Sequence, residues 1–145
     1  MDTIKIDHSK VLMIAHRGVS GLEIENTCPA FIAAAVKSYY GIETDVHVTL
    51  DGKFIICHDD NIKRVTGIDM VIEENNYDNL KKISIREKDN STRSDLVFPD
   101  LEDYLRICKK YNKVSILELK NTMTQNHIAR LVETVKNLDW FFKTT

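Results

Sequence analysis

Acidic residues recur on two strand-like segments of this chain that lie far apart in the sequence. Glu43 and Asp45 stand two residues apart in the run Ile42–Val46, so their side chains point to the same face of a strand. Glu118 belongs to a later run, Val114–Lys120. Carboxylate oxygens that converge from separate strands are the ligands that a hard cation such as Mg²⁺ or Ca²⁺ prefers. We therefore predict that these acids hold one divalent cation.

Two histidines, His16 and His58, each stand at the end of an apolar run and are followed by polar residues. A phosphodiester needs a base for the attacking oxygen and an acid for the leaving alcohol, and histidine can serve as either near neutral pH. Arg17 and Lys120 add a planar fork and a point charge that would balance the charge of a phosphate. His47 has the same strand parity as the first acids, so it could face the same site. The set predicts chemistry on a phosphate ester.

Strands that alternate with helices are predicted to position these groups. The hydrophobic pattern predicts a buried strand at 11–16, then a helix that opens at 25–27. Strands follow at 42–48 and 54–58, on either side of an Asp51-Gly52 turn. A helix from Pro99, a strand at 114–120 and a helix over 125–137 complete the order. Such alternation favours a parallel sheet covered by helices. Right-handed crossovers then bring the C-terminal ends of the strands to one side, where we expect the acids and histidines to collect.

Further details of the elements follow from local signals. Residues 60–97 are polar and lack a sustained period, so we interpret them as an insertion, with a short helix around Tyr77–Lys82. Asn26 or Thr27 is predicted to cap the first helix, and Asn112 to stop the helix that begins at Pro99. A new strand could begin at Trp140-Phe141-Phe142. The residues predicted to face inward from the last two helices are Leu101, Tyr104, Leu105 and Cys108, then Ile128, Leu131, Val132 and Val135.

The composition is that of one ordinary globular domain. The chain has 145 residues, a net charge of −2, 43% hydrophobic residues and 29% charged residues. Such a length supports a real core. The near-neutral balance argues against a nucleic-acid surface, and no apolar run is long enough for a transmembrane segment or a signal peptide core. We therefore expect a cytoplasmic protein.

Taken together, short motifs spread over residues 12–120 resemble the glycerophosphodiester phosphodiesterase family in both order and spacing. They are His16-Arg17-Gly18, Glu25-Asn26-Thr27, Glu43-x-Asp45-Val46, Thr49-x-Asp51-Gly52, His58-Asp59 and Glu118-x-Lys120, with Phe98-Pro99-Asp100-Leu101-Glu102 at a proline-led helix entry. Each motif alone is weak, whereas the ordered set is very specific.

The resemblance implies a TIM-type (β/α) barrel that cleaves glycerophosphodiesters, such as glycerophosphocholine, to glycerol 3-phosphate and an alcohol. It implies one bound divalent cation, Mg²⁺ or Ca²⁺. By the motifs, the catalytic pair would be His16 and His58, the metal ligands Glu43, Asp45 and Glu118, and the phosphate contacts Arg17 and Lys120. The headgroup, the choice of ion and which histidine is the acid stay open.

The extent of the barrel is a separate expectation. Eight βα units typically need about 250 residues, and three complete units are visible here, so we expect 1–145 to be a single partial domain, roughly the first half of a barrel. Self-association or a separate C-terminal half would then close the site. The alternative is an inactive or weakly active fragment that binds phosphate or a cation, or an interaction module.

Overall fold

A four-stranded sheet with helices packed on it forms the main body of the protein. The structure is a computed structural model and describes residues 11–138. The strands of this sheet are β1 (Ile14–Ala15), β2 (Gly41–Val48), β3 (Phe54–Ile56) and β6 (Val114–Leu119), and a second, two-stranded sheet contains β4 (Ser84–Arg86) and β5 (Thr92–Val97). The α-helices are α1 (Cys28–Ala35), α2 (Lys63–Thr66), α3 (Tyr77–Leu80), α4 (Leu101–Lys110) and α5 (Gln125–Asn137), with a 3₁₀ turn at Ile72–Glu74.

Strand β2 is the centre of the main sheet. Gly41 pairs with both Ile14 of β1 and Val114 of β6, so two parallel neighbours lie on opposite edges of β2. This confirms the predicted parallel, helix-covered arrangement. Strand β3 is the exception, because it returns antiparallel alongside the C-terminal half of β2.

The antiparallel return of β3, as predicted from the Asp51-Gly52 turn, brings His58 towards the site. The backbone N–H of Cys57 donates to the carbonyl oxygen of Asp45 at 3.1 Å. His58 therefore follows at the level of the acids through a hairpin, not from the C-terminal end of a parallel strand.

Helix α4 ties the main sheet together through one buried side chain. The Tyr104 hydroxyl donates to the carbonyl oxygen of Ile42 at 2.5 Å and accepts from the N–H of Ile116 at 3.0 Å, so it joins β2 to β6. Further along, the Asn121 amide bonds both backbone groups of Val48, at 3.0 and 2.8 Å, and continues the same ladder. The predicted inward face of α4 is confirmed, and its buried members are Leu101, Tyr104, Leu105 and Cys108.

The helix ends agree with the sequence signals. Thr27, and not Asn26, is the cap of α1, since its hydroxyl accepts from the N–H of Ala30 at 3.3 Å. Asn112 follows α4 with φ of 54°, the left-handed conformation expected of a helix stop. The new strand predicted at 140–142 lies outside the described residues.

Residues 60–97 have more structure than their polar sequence suggests. The short helix α3 lies where it is predicted. The β4–β5 hairpin was not foreseen, because its strands are short and each buries a single side chain, Ile85 in β4 and Leu96 in β5. This segment and β3 share a second hydrophobic cluster that contains Ile55, Cys57, Ile62, Ile72, Leu80, Ile85, Leu96 and Phe98. That the segment is an insertion stays a prediction.

Two expectations about burial are wrong. Strand β1 is only Ile14–Ala15, and the preceding residues 11–13 are exposed rather than buried. On α5, Leu131 is buried and Val135 is half-buried against the core, as predicted, but Ile128 and Val132 are 37% and 41% exposed. Within residues 11–138, these two side chains lack an apolar surface that covers them. No helix in this range is long and apolar enough to cross a bilayer.

Candidate metal and phosphate site

The three predicted metal ligands lie together at the junction of β2 and β6. The register of the two strands places Asp45 opposite Glu118, and Glu43 stands two residues before Asp45 on the same face. One carboxylate oxygen from each of Glu43, Asp45 and Glu118 lies within 4.8 Å of the others. The sheet thus brings together side chains that are more than seventy positions apart in sequence.

Two carboxylate oxygens of this cluster fit a cation, because they are buried without a hydrogen-bond partner. Glu43 Oε1 and Asp45 Oδ1 both lack such a partner, and their side chains are 12% and 0% exposed. Unpaired buried carboxylate oxygens are costly. Burial raises the pKa of Glu43, and the nearby charges of Asp45 and Glu118 raise it further. An all-oxygen donor set of this kind suits Mg²⁺ or Ca²⁺.

Glu118 differs from the other two acids in its exposure. It was expected to be inward like the others, yet its side chain is 55% exposed, because β6 pairs with β2 and has no second neighbour among the described strands. A hydrogen bond of 2.9 Å from Lys120 Nζ lowers the pKa of Glu118. Lys120 Nζ also lies 3.6 Å from Asp45 Oδ1, which is an ion pair but too long for a hydrogen bond.

The loop after β1 places His16 and Arg17 beside the acids. Arg17, at φ of 55°, donates its backbone N–H to Glu43 Oε2 at 2.8 Å, and its Nε lies 3.5 Å from Asp45 Oδ2. His16 Nε2 is 3.9 Å from the same Glu43 oxygen, and the side chain is 68% exposed. The guanidinium of Arg17 is thus fixed at the cluster, whereas the imidazole of His16 faces solvent.

His58 is oriented by its neighbour in sequence. Its Nδ1 lies 2.6 Å from Asp59 Oδ1, and a carboxylate can only accept there, so Nδ1 carries the proton and Nε2 is the nitrogen left for chemistry. Behind it, fully buried His47 places Nε2 3.5 Å from the carbonyl oxygen of His58. Burial lowers the pKa of His47.

Several contributors were not foreseen from the sequence. The buried Asn26 amide donates to Asp45 Oδ2 at 2.7 Å and accepts from the Thr44 hydroxyl at 2.8 Å, so it fixes the carboxylate instead of capping α1. Asn26 and Asp59 belong to motifs noted above, but Asn26 was predicted only as a possible helix cap and Asp59 was given no role. Arg64, which contacts Asp59 Oδ2 at 2.6 Å, had no sequence signal at all.

A cavity of about 380 Å³ lies next to this site but is not part of it. Glu25 and Arg64 line it, together with side chains of the β4–β5 hairpin, and its lining includes none of the predicted metal, histidine or phosphate residues.

Comparison with known proteins identifies the class to which this fold and cluster belong. The strands and helices are those of the first part of a TIM-type (β/α) barrel of the phosphodiesterase kind. The model of the Glycerophosphoryl diester phosphodiesterase family matches residues 16–145, so the chain belongs to that family.

Individual relatives agree with this family. A glycerophosphodiester phosphodiesterase of Bacillus altitudinis is 31% identical over 112 residues, 77% of this chain and 46% of its own length. The uncharacterized protein YqiK of Bacillus subtilis is 32% identical over 129 residues, 88% of this chain and 53% of its own length. A phosphodiesterase of Oleispira antarctica, solved with its product sn-glycerol-3-phosphate, superposes with a TM-score of 0.78 at 30% identity, over 86% of this chain and 51% of that one. The chain thus spans about half the length of these relatives.

Proposed function

We propose that the protein acts in the metal-dependent hydrolysis of glycerophosphodiesters to glycerol 3-phosphate and an alcohol. The observation that carries the proposal is the pair of buried, unpartnered oxygens of Glu43 and Asp45, set beside the Arg17 guanidinium and the Lys120 ammonium. A cation between the acids would leave the two basic side chains able to attract a phosphate. The sn-glycerol-3-phosphate complex of the Oleispira relative supports this class of substrate.

Glu43, Asp45 and Glu118 would hold one divalent cation, Mg²⁺ or Ca²⁺. When bound, such a cation stabilises negative charge that develops on phosphoryl oxygens. Arg17 would bind the phosphate through its planar fork and Lys120 through its ammonium. These groups select a phosphate ester and leave the identity of the alcohol to other parts of the protein.

His16 and His58 would carry the proton transfers. One deprotonates the attacking oxygen, from water or from the neighbouring glycerol hydroxyl, and the other protonates the departing alcohol. The Asp59 contact supports this role for His58, because it holds the ring and keeps the proton on Nδ1, which leaves Nε2 for proton transfer. The exposure of His16 leaves its ring accessible to substrate.

A second candidate is a cation or phosphate binder, or an interaction module, without full activity. The observation that favours it is the exposure of Glu118 and of apolar side chains on β6 and α5. We infer that further βα units, from another copy or a separate C-terminal half, cover this side in the active form.

We also place the protein in the cytoplasm, since Cys28, Cys57 and Cys108 are all free thiols, as is usual in a reducing compartment.

The test is an assay with glycerophosphocholine and Mg²⁺ or Ca²⁺, with and without a chelator. We expect release of glycerol 3-phosphate that stops when the cation is removed and resumes when it is restored. Hydrolysis that is indifferent to the chelator would refute metal dependence. Cation binding without any hydrolysis would favour the second candidate.

A further inference from the structure

We propose that Arg64 is a positioning residue that holds both the phosphate-binding Arg17 and the acid–base His58 through two separate carboxylates. The inference deepens the proposed function and rests on it for the roles of Arg17 and His58. Arg64 lies on α2, in the segment 60–97, and not on the sheet that carries the acids. It contacts neither the acidic cluster nor, by our proposal, the substrate.

The first carboxylate is that of Asp59. Arg64 Nε donates to Asp59 Oδ2 at 2.6 Å, while the other oxygen, Oδ1, receives the His58 Nδ1–H at 2.6 Å. One oxygen of the Asp59 carboxylate therefore binds the guanidinium and the other binds the imidazole. The guanidinium fixes the plane of the carboxylate, and the carboxylate fixes the plane of the imidazole.

The second carboxylate is that of Glu25. Arg64 Nη2 donates to Glu25 Oε1 at 2.7 Å, and the same oxygen accepts from Arg17 Nη1 at 3.1 Å. Arg17 in turn reaches Asp45 and Glu43. One guanidinium therefore links the loop after β1 to the loop after β3.

The charges favour a cation in this position. Burial alone would raise the pKa of Glu25, yet the hydrogen bonds and charges of Arg64 and Arg17 together hold that pKa below its ordinary value. The pKa of Arg64 is raised by its hydrogen bonds to Asp59 and Glu25. Guanidinium has a rigid fork that can engage two carboxylates at once, which an ammonium matches poorly.

The test compares Arg64→Met with Lys63→Met. Lys63 is the matched control, because it is the adjacent exposed cation and its ion pair is with Asp69, outside the network. Two readouts are independent of turnover: the tautomer of His58 from its ¹⁵N imidazole spectrum, and the hydrogen-exchange rate of the Arg17 Nε–H. The third readout is kcat and KM for glycerophosphocholine.

We expect Arg64→Met to lose the Nδ1–H preference of His58 and to speed exchange at Arg17, with kcat/KM lowered about tenfold to hundredfold, the scale for supporting groups. Asp59→Asn should change only the ¹⁵N imidazole spectrum of His58 and kcat. Glu25→Gln should change only the hydrogen-exchange rate of Arg17 and KM. Arg64→Lys keeps the charge without the fork and should fall between wild type and Arg64→Met. This variant also distinguishes lost positioning from lost folding.

Three other results would contradict the inference or the function on which it rests. If neither NMR signal moves in Arg64→Met beyond its value in Lys63→Met, Arg64 holds neither group and the inference is wrong. If only one signal moves, the proposed double link is wrong. If wild type hydrolyses no glycerophosphodiester, the proposed function fails, while the two NMR signals still decide the role of Arg64.

Discussion

Glu43 is the side chain in which the chemistry of the site is concentrated. Its Oε2 receives the backbone N–H of Arg17, and its buried Oε1 has no hydrogen-bond partner. Nearby Asp45 and Glu118 add like charge and contribute to the raised pKa of Glu43. A bound cation would remove this conflict, which makes residue 43 the most informative position at which to test it.

We predict that Glu43→Gln weakens Mg²⁺ or Ca²⁺ binding by about tenfold or more, because affinity in such sites follows the number of charged ligands. The amide oxygen of glutamine can still accept from Arg17, so the cation-free fold should be at least as stable as wild type. Isothermal titration measures the affinity. Glu133→Gln, on the exposed surface of α5, is the control. Equal affinities in the two variants would contradict the ligand assignment.

Glu25 provides a pH-dependent prediction at the same scale. Because Arg64 and Arg17 lower its pKa in the folded protein, its ion pairs add stability above the unfolded pKa of about 4.3, and this contribution is lost as the pH falls through the lower, folded pKa. Glu25→Gln should therefore cost about 1 kcal/mol of unfolding free energy near pH 7, and the cost should shrink towards zero in acid.

Urea unfolding of wild type and Glu25→Gln between pH 7 and pH 3 measures this difference. Glu133→Gln again serves as the control, and its difference from wild type should stay flat across the range. A Glu25→Gln difference that grows on acidification would show that the sign of the coupling is wrong.

Residue types and spacing were enough to predict that the acids, Arg17 and Lys120 come together. The reason is local: strand parity and register decide which side chains share a face. Arg64 and Asn26 could not be predicted in this way. The contact of Arg64 with Glu25 depends on how α2 packs, and Asn26 adopts a left-handed backbone that its apparent role as a helix cap did not suggest.

At the scale of elements, the junction of β2 and β6 depends on Tyr104 of α4. We predict that Tyr104→Phe destabilises the protein by about 1–3 kcal/mol, because it removes the hydroxyl that bonds the buried carbonyl oxygen of Ile42 and the partly buried N–H of Ile116. Tyr111→Phe is the control, since the Tyr111 hydroxyl makes no hydrogen bond with the residues described. Urea unfolding should distinguish the two variants. Equal stabilities would show that the hydroxyl does not join the strands.

The elements that could be predicted are those with strong periodic patterns and clear caps. Helices α1, α4 and α5 and strands β2 and β6 follow such signals, and their ends agree within a few residues. The β4–β5 hairpin could not be predicted, because its short strands carry charged and polar residues, and its burial comes from contacts elsewhere in the chain.

For the whole molecule, apolar side chains on the last described strand and the last described helix remain exposed within residues 11–138. Ile116 and Leu119 of β6 and Ile128 and Val132 of α5 are between 36% and 42% exposed. Exposed strand edges and apolar faces of this kind promote association. This exposure supports the proposal that further βα units complete the site.

We predict that the isolated chain self-associates, with a mass above its monomer value of 16.7 kDa. Light scattering after gel filtration measures this mass, and Val132→Lys should shift it towards the monomer by placing a charge in the apolar face. Glu133→Lys, which adds a positive charge at an exposed position on a different face of the same helix, is the control. A monomer at all concentrations would contradict the proposed use of this surface.

The central claim is that Glu43, Asp45 and Glu118 share one divalent cation. Crystals grown with Mn²⁺, which takes the same oxygen ligands as Mg²⁺ and scatters anomalously, test it most directly. We predict one strong anomalous peak in contact with all three carboxylates, which disappears in Glu43→Gln. No peak between these acids in wild type, or a peak that persists unchanged in the variant, would contradict the claim.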